Sequence, residues 1–120
     1  LNVCGHLIYG LPGETQDMML NTLDETIRLE VDSIKFHPLY VVKNTLLTAK
    51  YKKGKFTPIS EDLYIDTVVK SIKKLPNNIS IQRVTAGIDD NTLLSPSWCK
   101  NKHKQMFKIR EALLKEGFVY

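Results

Sequence analysis

The stretch Val3–Thr15, VCGHLIYGLPGET, constrains the fold of this chain more than any other. Val3 to Tyr9 is a mostly apolar run of strand length. It breaks into Gly10-Leu11-Pro12-Gly13, and behind the break Met19, Leu20, Leu23 and Ile27 recur at helical spacing. A strand that turns through glycine and proline into an amphipathic helix is the opening of a βα unit. Such units place ligands at the carboxyl ends of their strands. Chemistry is therefore expected near Gly10–Thr15.

The same alternation continues. Thr15 is positioned to cap the first helix and Asp17 suits its positive end, with the helix running to about Glu30. Asp32-Ser33 turns the chain into a second strand, Ile34–His37, stopped by Pro38, and Leu39–Val42 stays extended and apolar. After Lys43-Asn44, Thr45–Tyr51 reads as a short helix ending near Gly54, with Lys50, Lys52, Lys53 and Lys55 crowded around it. Ser60 caps a helix whose apolar face is Ile65, Val68, Val69, Ile72 and Leu75. Ile79–Val84 is a third strand, Thr85–Thr92 a polar loop, and Ser95-Pro96 the start of a last helix that reaches about Glu116. The order β-α-β-α-α-β-α predicts parallel strands joined by right-handed crossovers. Three strands do not close a barrel. The expected fold is α/β, a partial TIM-like barrel of three parallel strands with flanking helices, with residues 1–120 forming one domain.

Side chains alternate across a strand. Cys4, His6 and Ile8 share one face of the first strand, and Lys35 and His37 share one face of the second. If the apolar residues face the helices, His6, Lys35 and His37 point the other way, as they would toward a substrate-holding lumen. A strand layer covered on both sides would be apolar on both. The competing reading is that these are satisfied core or strand-end groups. The turn Gly10–Gly13 offers backbone N–H groups to an anion at a helix start, though it is neither a Walker loop nor G-x-G-x-x-G. Its bland reading is a tight βα turn.

The formal net charge is +4. Trp98–Arg110 concentrates Lys100, Lys102, His103, Lys104, Lys108 and Arg110 between Trp98 and Phe107, a composition suited to phosphate contact and base stacking, and equally to a solvated helix face. The two cysteines, Cys4 and Cys99, are neither a disulfide framework nor a metal-ligand spacing, and reduced thiols in a cytoplasmic protein are expected. No apolar run approaches the ~18 residues needed to span a bilayer, so no membrane partner is expected. The chain opens on Leu1 directly in strand-like sequence and is expected to be part of something longer.

HLIYGLPGET, DSIKFHPLYVVKNTLL, YKKGKFTPIS, IQRVTAG and LLSPSW, in that order, resemble one family. They are similar to the C-terminal half of the radical S-adenosylmethionine (radical SAM) domain of bacterial Fe–S oxidoreductases related to the catalytic subunit of Elongator. The resemblance covers nearly the whole chain. It implies an incomplete (β/α) barrel in which a CxxxCxxC loop of the N-terminal half holds a [4Fe–4S] cluster. SAM binds that cluster and is cleaved reductively to a 5′-deoxyadenosyl radical. This chain lacks CxxxCxxC. The cluster and SAM are thus expected in the full-length parent, with none bound to this chain alone and no metal ligands here.

By the same resemblance Ile8 packs on the adenine of SAM, Gly10 allows close approach, and Leu11 and His37 complete this side of the cofactor pocket. Lys35, Arg83, Lys100, Lys102 and Lys104 are the expected substrate or nucleic-acid contacts. The substrate is expected to be RNA or RNA-linked. The missing N-terminal half of the barrel is the implied partner, and the isolated chain is expected to be inactive and to self-associate. The alternative is a non-enzymatic nucleic-acid-binding module using the Trp98–Arg110 helix. A further rival is a phosphate-ligand enzyme using the Gly10–Gly13 turn.

Overall fold

The computed structural model of the chain describes residues 2–89 and 91–118. The elements are β1 (Cys4–Tyr9), α1 (Gln16–Arg28), β2 (Ser33–Pro38), β3 (Val41–Val42), α2 (Leu46–Lys52), α3 (Glu61–Lys74), β4 (Ser80–Arg83), β5 (Leu93–Ser95) and α4 (Lys102–Lys115), with a 3-10 turn at Ser97–Lys100. β1, β2 and β4 form one sheet in the order β1-β2-β4, and both pairings are parallel. The α/β arc of three parallel strands expected from the sequence is the fold.

The helices begin where their caps dictate. Thr15 accepts from the Met18 N–H, Thr45 from Thr48 and Ser60 from Leu63, each satisfying an orphan donor of a first turn. All three long helices pack on one side of the sheet. Leu7 and Tyr9 of β1 and Ile34 and Phe36 of β2 meet Met19 and Leu23 of α1, Tyr64 and Val68 of α3, and Ile109 and Leu113 of α4 in a single core. Ile109 and Leu113 are four residues apart and so share one helix face. α4 lies beside α3 and leaves the opposite side of the sheet uncovered.

Three expectations are corrected. First, β2 begins at Ser33, which pairs with Cys4 and Ser80, so Ser33 belongs to the ladder and not to the turn. Second, Val41-Val42 and Leu93–Ser95 pair antiparallel as a second small sheet, which the sequence reading left as extended chain and loop end. Third, α4 starts at Lys102 and not at Ser95-Pro96. Ser95 is taken into β5, and Asn101 is the true cap, its Oδ1 accepting from the Lys104 N–H at 2.9 Å. In the expected polar loop Thr85–Thr92, Thr85 and Ala86 are buried, and Asp90 lies outside the described residues. Gly87 is needed there because a Cβ would fall 2.4 Å from the Cys99 carbonyl oxygen, which already accepts from the Ile88 N–H.

The β2–β4 ladder carries an irregularity. Ile34 pairs with Ile81, and the next residue, Lys35, pairs with Arg83. One extra residue in β4 thus opposes β2, the signature of a β-bulge.

Candidate functional site

The uncovered strand face is the candidate site, and the ladder registers assign its rows. Cys4, Ser33 and Ser80 form the first row, His6, Lys35 and Arg83 the second, and Ile8 and His37 the third, nearest the carboxyl ends. Neighbouring strands lie about 4.8 Å apart, so the second row sets three basic side chains across roughly 10 Å. His6 and Arg83 are exposed, and Lys35 and His37 half-buried. None of these four takes part in an ion pair among the described residues, since the five pairs present all lie on the helix layer. Gln82 donates to the Ser33 hydroxyl at 3.0 Å, so the bulge brings both Gln82 and Arg83 to this face.

Ile8 stands out as an aliphatic side chain 46% exposed on a polar face. Beside it the His37 ring packs on Tyr40 at 5.2 Å between centroids, and its Nδ1 lies 2.6 Å from the Pro38 carbonyl oxygen. Burial depresses the His37 pKa, with smaller contributions from Arg83 and His6 offset by the Pro38 bond, so the neutral ring is favoured. With Nδ1–H donating to Pro38, Nε2 is left as an acceptor.

Gly10 ends β1 with φ +99, and a Cβ there would sit 2.8 Å from both Cβ and Cγ2 of Ile59. Both conformation and space demand glycine. The N–H groups of Gly10 and Leu11 do converge, as an anion cradle requires, but the anion is the protein's own. Glu14 Oε1 accepts from Gly10 at 3.0 Å and from Leu11 at 3.1 Å. This clasp fills the cradle that the phosphate-enzyme rival needs. An acid three to four residues behind a glycine turn is the local signal for it. The turn walls a groove of about 470 Å³ with the irregular segment Lys55–Ile59 opposite, and Leu11 is 47% exposed at its rim.

The basic residues separate into groups. Arg83 and Lys102 line a common recess of about 190 Å³ at the end of β4. Lys100, Lys102 and His103 share a wider one of about 550 Å³ with Asp89. Lys104 is exposed in the first turn of α4 and reaches neither. Lys108 pairs with Glu61. Trp98 is not a free stacking platform: its Nε1 donates to the Ile59 carbonyl at 3.1 Å and its ring lies 5.4 Å from that of Tyr64. The nucleic-acid-module rival therefore keeps only the exposed Phe107 of its two aromatics.

Both cysteines are free. Burial pushes the Cys99 thiol up to about 12, with the Glu61 charge adding to the effect, so it is held protonated. No cluster of three or more metal-ligating side chains occurs among the described residues. No helix among them is long and apolar enough to cross a membrane.

Residues 31–115 match the model of the Radical_SAM C-terminal domain. Over 117 residues, 98% of this chain, the sequence is 36% identical to protein YhcC of Escherichia coli K12, of which it covers 38%. It is 24% identical over 114 residues to a tRNA uridine(34) acetyltransferase of Methanocaldococcus jannaschii, covering 92% of this chain and 21% of that protein. The chain thus spans well under half the length of these relatives. The backbone superimposes on the archaeal Elp3 of Methanocaldococcus infernus with a TM-score of 0.85 at 22% identity, covering 98% of this chain and 28% of that one, which is a likeness of fold. With the family pattern running from Val31 to Lys115, across β2, α3, β4 and α4, the chain belongs to the Radical_SAM C-terminal domain family.

Proposed function

We propose that this chain supplies one wall of the SAM pocket and part of the substrate side in a radical SAM enzyme acting on RNA, with the [4Fe–4S] cluster held by another segment of the full-length protein. The observation that carries the reading is the open strand face. Its third row offers aliphatic surface at the carboxyl end of a parallel strand, next to the Gly10 turn. Its second row offers only cations and imidazole.

The residues present do not fit the cluster. Cluster ligands are thiolates, and of the two thiols here Cys99 is buried and held protonated while the Cys4 Sγ donates to the Gly5 carbonyl. They do fit an adenine. A flat heteroaromatic ring gains apolar contact against Ile8 and Leu11, and the His37 Nε2 can accept from an exocyclic amine. Bound there, SAM would supply one-electron chemistry, with the reducing electron coming from the reduced cluster held by the other segment. This chain's own contribution is to bind and orient. Ile8 and Leu11 hold the ring, Gly10 lets the backbone approach, and His6, Lys35 and Arg83 attract an anionic substrate toward the same face. The RNA reading draws on those cations and on the likeness to a tRNA uridine(34) acetyltransferase.

The test is Ile8→Asp in the full-length, cluster-loaded protein, with SAM affinity measured by calorimetry. An ionised carboxylate against the ring loses apolar contact and must be desolvated, so affinity should fall about tenfold or more. Unchanged affinity in a folded protein would remove Ile8 from the pocket.

A further inference from the structure

The lysine-rich segment around α2 touches the site just described only at Lys55. Between Asp32 and Glu61 the chain has six lysines, Lys35, Lys43, Lys50, Lys52, Lys53 and Lys55, and no acidic residue. The last five are exposed. None of the six forms an ion pair among the described residues, whereas five cations of α1, α3 and α4 are paired. Lys102, Lys104, Arg110 and Lys115 of α4 also form no ion pair among the described residues, so what sets this segment apart is that its lysines have no acidic residue among them. Lys50 and Lys52 stand in the last turn of α2, where they also suit the helix's negative end, but Lys43 and Lys55 lie outside the helix and have no such local reason.

The segment is concave and ends at the site. Lys43 and Lys52 wall a recess of about 390 Å³ with Thr45. Lys55 walls the groove of about 470 Å³ whose other side is the Gly10–Glu14 turn. The Lys55 end of the segment thus reaches the turn that follows β1. The aromatics of the segment are committed elsewhere: the Tyr51 and Phe56 rings pack edge-on at 6.3 Å and are half-buried. The surface offers charge without a stacking platform, which suits a phosphate backbone with its bases turned inward.

We propose that Lys43–Lys55 docks the phosphodiester backbone of a double-stranded region of RNA, read by charge alone. This rests on the RNA substrate proposed above. An anionic membrane is disfavoured because the surface is hollow, and because α2, with seven residues, is too short to bury an apolar face in lipid.

The test uses the full-length protein and a fluorescein-labelled RNA hairpin, with anisotropy titrations across a salt series. The triple variant Lys50→Gln, Lys52→Gln, Lys53→Gln should reduce the slope of log affinity against log salt by about 1 per lost contact and weaken binding about tenfold or more at low salt. The matching triple Arg variant should bind like the parent, which separates charge from folding damage. A hairpin of shuffled sequence should bind equally. SAM affinity, measured in parallel, should be the same in all three proteins. Failure of the parent to bind SAM, with the lysine-dependent slope intact, would fell the enzyme reading and leave the docking surface standing. An unchanged slope in the Gln variant, sensitivity to shuffling, or binding to anionic phospholipid vesicles in place of the hairpin would overturn the docking surface.

Discussion

Replacing Glu14 with alanine removes the carboxylate that holds the β1–α1 turn by two backbone N–H groups. The Gly10 bond, 3.0 Å long and half-buried, involves a charged acceptor. Bonds of that kind contribute about 1.5–3 kcal/mol, with the lower half of that range suiting partial burial. The Leu11 bond, 3.1 Å and exposed, adds about 0.5 kcal/mol after water competes for it. The turn keeps its own bond from the Glu14 N–H to the Leu11 carbonyl, 2.9 Å, which the substitution does not touch. The expected loss is about 2–3 kcal/mol. With a urea slope of about 2 kcal/mol per molar, the unfolding midpoint should fall by about 1–1.5 M at matched protein concentration. Glu14→Gln keeps a carbonyl acceptor and loses only the charge, so it should cost about 1 kcal/mol. Glu14→Ala also opens the cradle, so acetate should recover part of its stability and leave the parent unaffected. A Glu14→Ala midpoint equal to the parent's would refute the clasp as a source of stability.

Two further outcomes follow from the fold. Burial raises the Tyr9 pKa from 10.0 to about 12, against a smaller lowering by its 2.7 Å bond to Ser71; the raised folded value means stability is fully present below pH 10 and lost as pH climbs toward 12, by about 3 kcal/mol in all, and Tyr9→Phe should make the alkaline unfolding curve shallower by about one proton. An unaltered curve would show that Tyr9 ionises as readily in the folded protein as in the unfolded one. The isolated 120-residue chain should self-associate through its open face or its β1 and β4 edges; light scattering at micromolar concentration checks this, and a monomer with a cooperative melt would show that the open face is stable without cover.

Much of this fold is local, and that part was readable. β1, α1 and α3 each combine a period with a cap or a breaker within a few residues. The facing of His6, Lys35 and His37 followed from alternation once the apolar partners Leu7, Ile34 and Phe36 were assigned to the helices. The β3–β5 ribbon was not readable, because its strands are two and three residues long and pair across more than 50 positions, Val41 with Ser95 and Val42 with Leu93. Proline at a favoured first helical position misdirected the start of α4, since the true cap, Asn101, announces itself only through its bond to Lys104. Trp98 looked like a stacking residue for want of its partners, Tyr64 and the Ile59 carbonyl, both distant in sequence. For the site, the common facing of His6, Lys35 and His37 was legible from alternation, but the register that sets Arg83 beside Lys35 depended on the bulge, and the joining of Arg83 to Lys102 on tertiary packing of α4.

The bulge in β4 has a consequence for how a change in chain length would act here. Ile81 and Val84 are both turned to the packed side, with the Val84 carbonyl accepting from Tyr64 at 2.7 Å, and the two residues between them both serve the open side. In an unbulged strand only one residue could do so, and the next would be driven into the core. What β4 presents on the open face is thus set by chain length as well as by residue type. Loss of one residue between Ile81 and Val84 would restore plain alternation and leave a single residue on the open side between the two anchors, shortening the backbone as well as removing a side chain.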